Sequence, residues 1–164
     1  MSDPTLSAEW AAWPLTEKLA QLAAYHCDVL HVEEEPRGSN RGAWVERYLA
    51  AAGAEAGEPW CAAFVTYLLR QCGYGSFPES PAAVSSWGRW AEDHHKIAFT
   101  AMRGGLFFLL RADGTGHMGI CLSGPDEDGD FRTIEGNSNA DGSREGYAVV
   151  RRARNASGLR FIAL

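Results

Sequence analysis

Apolar positions change their rhythm half-way along the chain. From Leu15 to about Leu30 they recur at three- and four-residue steps (Leu19, Leu22, Ala23, His26, Leu30), which puts them on one side of a helix. The acidic run Glu33-Glu34-Glu35 followed by Pro36 ends that helix. Trp44, Val45, Tyr48, Leu49 and Ala52 repeat the helical spacing, and Gly53 stops it. Pro59 opens a third helix that reaches about Gln71 and is apolar most of the way round, which predicts a central, buried element. A fourth helix runs from Ala82 to about Asp93, with Val84, Trp87 and Trp90 aligned and His94-His95 at its end. After residue 100 the runs become short and strand-sized: Leu106 to Leu110, His117 to Leu122, Phe131 to Glu135, Tyr147 to Arg152 and Leu159 to Ala163. The turns between them are rich in glycine and other polar turn formers, which predicts an antiparallel meander. A helical first half and a stranded second half make the fold α+β. Residues 1–14 read as a loose lead-in, with Trp10 and Trp13 able to dock as a helical turn, and 15–164 as a single domain.

Composition narrows the function classes more than it names one. A chain of 164 residues can bury roughly 70% of its unfolded surface and needs no staples. The formal charge of -6, with no basic run interleaved with aromatics, argues against nucleic acid as a partner. No apolar run approaches a membrane span, so membrane insertion is not expected. Residues 1–10 show neither a basic region nor an apolar core, so no signal peptide is visible and synthesis in the cytoplasm is the reading. The four cysteines, Cys27, Cys61, Cys72 and Cys121, form no C-x-x-C pair, which argues against a zinc knuckle or a dithiol redox motif.

Cys61 stands apart because it follows Pro59-Trp60 at the start of the third helix. A thiol there faces unpaired backbone N–H groups and the positive end of the helix dipole, which favour thiolate. Packing as a small buried hydrophobe fits the same position, and the stretch alone leaves both open. A nucleophilic cysteine needs a histidine, and the histidine needs a third group to orient it. Of the five histidines only His117 begins a strand, sharing a face with Gly119 and Cys121. On the next strand Thr133 and Glu135 share a face, and Asn137 continues the alternation if the strand extends. A hairpin of the two strands would bring His117 to a polar Glu135/Asn137 edge, with the Cys61 helix lying across that face. The loop Arg37-Gly38-Ser39-Asn40-Arg41-Gly42 suits a connector or a substrate-side loop, and its composition favours the connector.

Trp60-Cys61-Ala62-Ala63-Phe64-Val65, Gly116-His117-Met118-Gly119-Ile120 and Ile134-Glu135-Gly136-Asn137, in this order, resemble the CHAP family (cysteine, histidine-dependent amidohydrolase/peptidase). The loop at 137–146 and Gly38-Ser39-Asn40-Arg41-Gly42 resemble a small, endolysin-type subgroup of it. The resemblance covers about residues 15–163 and implies a papain-like fold and peptidoglycan as substrate. It implies Cys61 as nucleophile, His117 as general base and then acid, Glu135 as the orienting acid and Asn137 as a further polar member. Trp60, Ser39, Asn40 and Arg41 become candidate substrate-binding residues. The family often has Gly-Asp before its first long strand, where this chain has Gly104-Gly105-Leu106; that aspartate is structural in character and does not bear on the catalytic set. Some relatives bind calcium, but the acidic Asp126-Glu127-Asp128-Gly129-Asp130 has its glycine out of place for an EF-hand, so no cofactor or metal is expected. The implied site of action is the cell wall or periplasm after non-Sec delivery, and an inhibitor or immunity protein is a candidate partner. Three other readings stand beside this one. An NlpC-type endopeptidase would show Asp-Cys-Ser-Gly at the nucleophile. A cytoplasmic amidase would act on a small peptide or polyamine conjugate. A catalytically silent wall-binding module would keep the fold without the chemistry.

Overall fold

The computed structural model describes residues 2–139 and 146–164, so most of the polar loop expected after Asn137 lies outside the described residues. Two short 3-10 turns, Pro4–Leu6 and Trp10–Ala12, lead into four helices: α1 (Leu15–Asp28), α2 (Ala43–Ala51), α3 (Cys61–Gln71) and α4 (Val84–Asp93). Six strands follow: β1 (Ile97–Ala98), β2 (Leu106–Leu110), β3 (Gly116–Cys121), β4 (Asp130–Ser138), β5 (Ala148–Asn155) and β6 (Arg160–Ile162). The fold is α+β, and every strand pairing is antiparallel. Trp10 packs against the core from the lead-in. No helix is long and apolar enough to cross a membrane among the described residues.

The expected meander holds only for β2 to β5. The sheet order is β1-β6-β2-β3-β4-β5, so the last strand returns to the far side of β2. Phe161 sits opposite Phe107 in that pairing, which joins the last strand to a small apolar cluster of Phe107, Cys121, Phe131 and Phe161. The main core lies on the other face, where Leu106, Phe108, Met118, Ile120 and Ile134 meet the helices.

α3 is the central element, as its all-round apolar pattern predicts. Ala62, Ala63, Phe64, Val65, Leu68 and Leu69 have no solvent exposure. The helix packs against β3 and β4 and is flanked by α1 and α2. It lies on the Met118/Ile120/Ile134 face of the sheet, not on the face of His117, Gly119 and Glu135 as expected from the strand alternation. The reason is hydrophobic: the Met118 face carries the larger unbroken apolar surface, and α3 covers it.

The N-terminus of α1 is pinned to the link before β2. Arg103 makes a bidentate pair with Glu17, at 2.9 and 3.0 Å. Gly104, at φ 76°, lets this link pass Thr16 so closely that a Cβ would lie 2.2 Å from the Thr16 carbonyl oxygen. That close approach accounts for glycine two positions before the first long strand. His26, on the buried side of α1, meets the Tyr48 hydroxyl at 2.6 Å inside an aromatic cluster, and burial pulls its pKa down to about 4.

Candidate active site

Cys61 is the first residue of α3 and His117 the second of β3. They lie on opposite layers of the domain, yet they meet where the helix start reaches the end of the sheet, and both line one cleft of about 220 Å³. His117 Nε2 faces Glu135 Oε2 at 2.8 Å, which leaves Nδ1 as the nitrogen for the Cys61 thiol. The sequence order Cys61, His117, Glu135 is therefore also a chain of contacts. The β3–β4 register pairs Ile120 with Ile134 and Cys121 with Thr133, and continuing it sets Gly119 opposite Glu135. A Cβ on Gly119 would stand 2.9 Å from Glu135 Cγ and 2.8 Å from Phe107 Cε1. Glycine here clears the diagonal path from Glu135 to His117.

Glu135 is fully buried and has more partners than a mere orienter needs. Thr133 Oγ1 donates to its Oε1 at 2.6 Å and Ser138 Oγ to its Oε2 at 3.2 Å. Arg154, on β5, donates from Nε to Oε1 at 2.7 Å and from Nη2 to Oε2 at 2.6 Å. Its guanidinium also lies over the Phe107 ring, which neighbours the His117 ring. A lone buried carboxylate would take up a proton, and burial is the largest influence on Glu135. The hydrogen bonds and charges of Arg154 and His117 outweigh it and hold the carboxyl well below the usual carboxylate range. Arg154 is the member of this candidate cluster that sequence reasoning missed. Its signal was weak, since Arg151, Arg152 and Arg154 all occur on one strand and only the β4–β5 register selects among them.

The thiol and imidazole shift in opposite directions. Burial, the largest influence on His117, favours its neutral form; the hydrogen bonds and charges of Cys61 and Glu135 outweigh it and raise the pKa to about 9. Burial likewise disfavours the Cys61 thiolate. The His117 hydrogen bond and charge, with backbone groups of Met118 and Ala62, bring the thiol below its ordinary value. The remaining thiols go the other way. Burial pushes Cys27 up to about 11, and Cys72 and Cys121 up to about 12. The geometry therefore supports a thiolate–imidazolium pair at Cys61 and at no other cysteine.

The other candidates divide. Asn137 lines the cleft with His117, but the strand alternation is not what brings it there. A bulge between Glu135 and Ser138, with Asn137 at φ 51°, breaks the two-residue spacing. In the amide orientation that satisfies both groups, the Asn137 side-chain oxygen accepts from Trp60 N–H at 3.0 Å and its nitrogen donates to Gly146 O at 2.9 Å. Asn137 thus ties the bulge to the residue before the nucleophile. Trp60 is no cleft wall: its indole has no exposure, stacks on Tyr48 and donates to Glu34 Oε1 at 2.9 Å. Of the early loop, Gly38 and Asn40 line the cleft, while Ser39 and Arg41 do not. Ser39 Oγ bonds back to Pro36 O, and Arg41 pairs with Glu46 on α2. Pro59, Glu34, Arg111 and Thr115 complete most of the lining. Among the described residues no three His, Cys, Asp or Glu side chains gather as a metal site would need. In the acidic turn, Asp126 Oδ1 accepts from the N–H groups of Asp128 and Asp130, an ordinary turn cap.

No protein-family model matches the chain, and neither do any of the curated proteins or solved structures compared with it.

Proposed function

We propose that the chain is a cysteine-dependent amide hydrolase of the CHAP type, with a papain-like fold, acting on peptidoglycan. The observation that carries the reading is His117 held between the Cys61 thiol and the buried, ionised Glu135 at the wall of an open cleft. Cys61 sulfur attacks the amide carbonyl carbon, forming the C–S bond. The oxyanion is met by the Cys61 backbone N–H, which as a first-turn donor has no acceptor within the helix. As the tetrahedral centre collapses the C–N bond breaks, and the His117 imidazolium gives its proton to the leaving amine. Water then attacks the thioester while His117 takes a proton from it; the C–S bond breaks and the thiolate returns. Glu135 keeps its charge throughout and holds the Nε2–H of the ring.

The test is mass spectrometry of purified peptidoglycan treated with the wild type and with Cys61→Ala. Fragments released by the wild type alone support the proposal, and their masses name the bond cut: the sugar–peptide amide or one within the peptide. Undigested profiles from both would overturn it.

A further inference from the structure

Glu34 is a carboxylate that the catalytic set does not use, although it forms part of the same cleft wall as Cys61 and His117. The residue is about 5% exposed. Its Oε1 accepts from the Trp60 indole, and its Oε2 is buried without any hydrogen-bond partner. No ion pair includes Glu34 among the described residues. Its backbone is not free to carry the group out to water. Glu34 N–H donates to Tyr147 O at 2.8 Å, Glu35 N–H to Arg41 O at 2.9 Å, and Glu33 bridges to Ala148. The neighbours Glu33 and Glu35 are exposed and solvated, so the burial of Glu34 is particular to it. An unsatisfied buried acceptor in a native wall calls for a donor, and a charged one calls for a cation as well.

Resting on the hydrolase reading above, we infer that Glu34 is the acceptor for a primary ammonium group of the substrate. The cleft then takes peptides bearing a free amine close to the amide that Cys61 attacks. An ammonium supplies both a hydrogen-bond donor, which Oε2 lacks, and a positive charge in direct contact with Glu34, which no ion pair gives it among the described residues. Amide N–H and sugar hydroxyl groups supply only the first. Arg111, exposed on the same cleft, offers the opposite charge to a substrate carboxylate. A stem peptide with both groups complements this pair of walls. Trp60 links Glu34 to the nucleophile: the indole that Glu34 holds belongs to the residue whose carbonyl accepts the first bond of α3.

The experiment measures binding apart from turnover. Cys61→Ala protein is titrated calorimetrically with a wall-type tetrapeptide of Ala, γ-linked Glu, Lys and Ala, with its amines free and with them acetylated. The double variant Cys61→Ala/Glu34→Gln is titrated in parallel; Gln keeps an acceptor for the Trp60 indole, and near-ultraviolet circular dichroism checks that the tryptophans stay packed. The expected result is a preference of about tenfold or more for the free amine in Cys61→Ala, falling to about twofold or less with Glu34→Gln. An unchanged preference in the double variant overturns the inference, as does equal binding, or no binding, of the two peptides by Cys61→Ala. Hydrolysis by the wild type is scored separately, so absence of an amine preference in Cys61→Ala while the wild type still turns over sinks this inference alone.

Discussion

Replacing Arg154 with methionine should destabilise the fold and misalign His117. The substitution keeps an apolar stem against Phe107 and deletes the two charge-assisted bonds to Glu135, of 2.7 and 2.6 Å. Breaking a buried ion pair by removing one partner costs about 3–5 kcal/mol when both groups are buried. Here Arg154 is 22% exposed, and Glu135 keeps His117, Thr133 and Ser138. Both facts place the loss below that range, at about 2–3 kcal/mol. Urea denaturation followed by tryptophan fluorescence at neutral pH measures it. The sign of the pH dependence follows from Glu135. Its folded pKa lies below its unfolded value, so its stabilisation is complete above the model-peptide value of 4.5 and is lost as pH falls through the folded value. The gap between wild type and variant should therefore be widest near neutrality and close in acid. Turnover should fall by about tenfold or more, because a small misplacement of His117 is costly. Arg154→Lys should recover part of the stability and little of the alignment, since a point charge cannot fork to both carboxylate oxygens. A loss under about 0.5 kcal/mol for Arg154→Met, within the range of an ordinary surface pair, would refute the reasoning.

Other consequences are as direct. Iodoacetamide at neutral or mildly acidic pH should label Cys61 well before Cys27, Cys72 or Cys121, whose thiols burial raises to about 11, 12 and 12; peptide mapping reads the order, and equal labelling would argue against an activated thiol. The pH profile of kcat/KM should rise below the ordinary thiol range and fall through about pH 9 as His117 loses its proton; a rate still climbing past that point would contradict the ion pair. Gly119→Ala should cost about 1–3 kcal/mol and most of the activity, because its Cβ would press on Glu135 Cγ, Phe107 and the Ile134 carbonyl; thermal melting and hydrolysis assays check both. Asn137→Ala should slow turnover by moving the Trp60–Cys61 backbone, while leaving the Cys61 thiol as reactive as before; a loss of thiol reactivity would assign Asn137 a direct part in the charge pair.

Periodicity in the chain was enough to place the four helices and the five longer strands to within a few residues, because each buries one face or, for α3, nearly all of them. It also singled out Cys61, His117 and Glu135: a thiol at a helix start, a histidine at a strand start and an acid at strand spacing are local facts. Three features are not local. β6 crosses back to β2, a choice set by where Phe161 finds Phe107 and Phe131. The bulge at Asn137 leaves no mark on alternation until the partner strand is known. Trp60 reads as a cleft aromatic beside the nucleophile, but Glu34 and Tyr48 draw it inside.

By itself the sequence marked Cys61, His117 and Glu135 as candidates and showed which segments are helix or strand, since residue type and spacing are written along the chain. Only the tertiary structure decided how they meet. α3 covers the Met118 face rather than the His117 face, so Cys61 reaches the imidazole at the end of the sheet and not across it. β4–β5 pairing, in turn, brings Arg154 to Glu135. Both outcomes are set by pairing and burial between segments far apart in sequence, where one register step would turn every side chain to the other face.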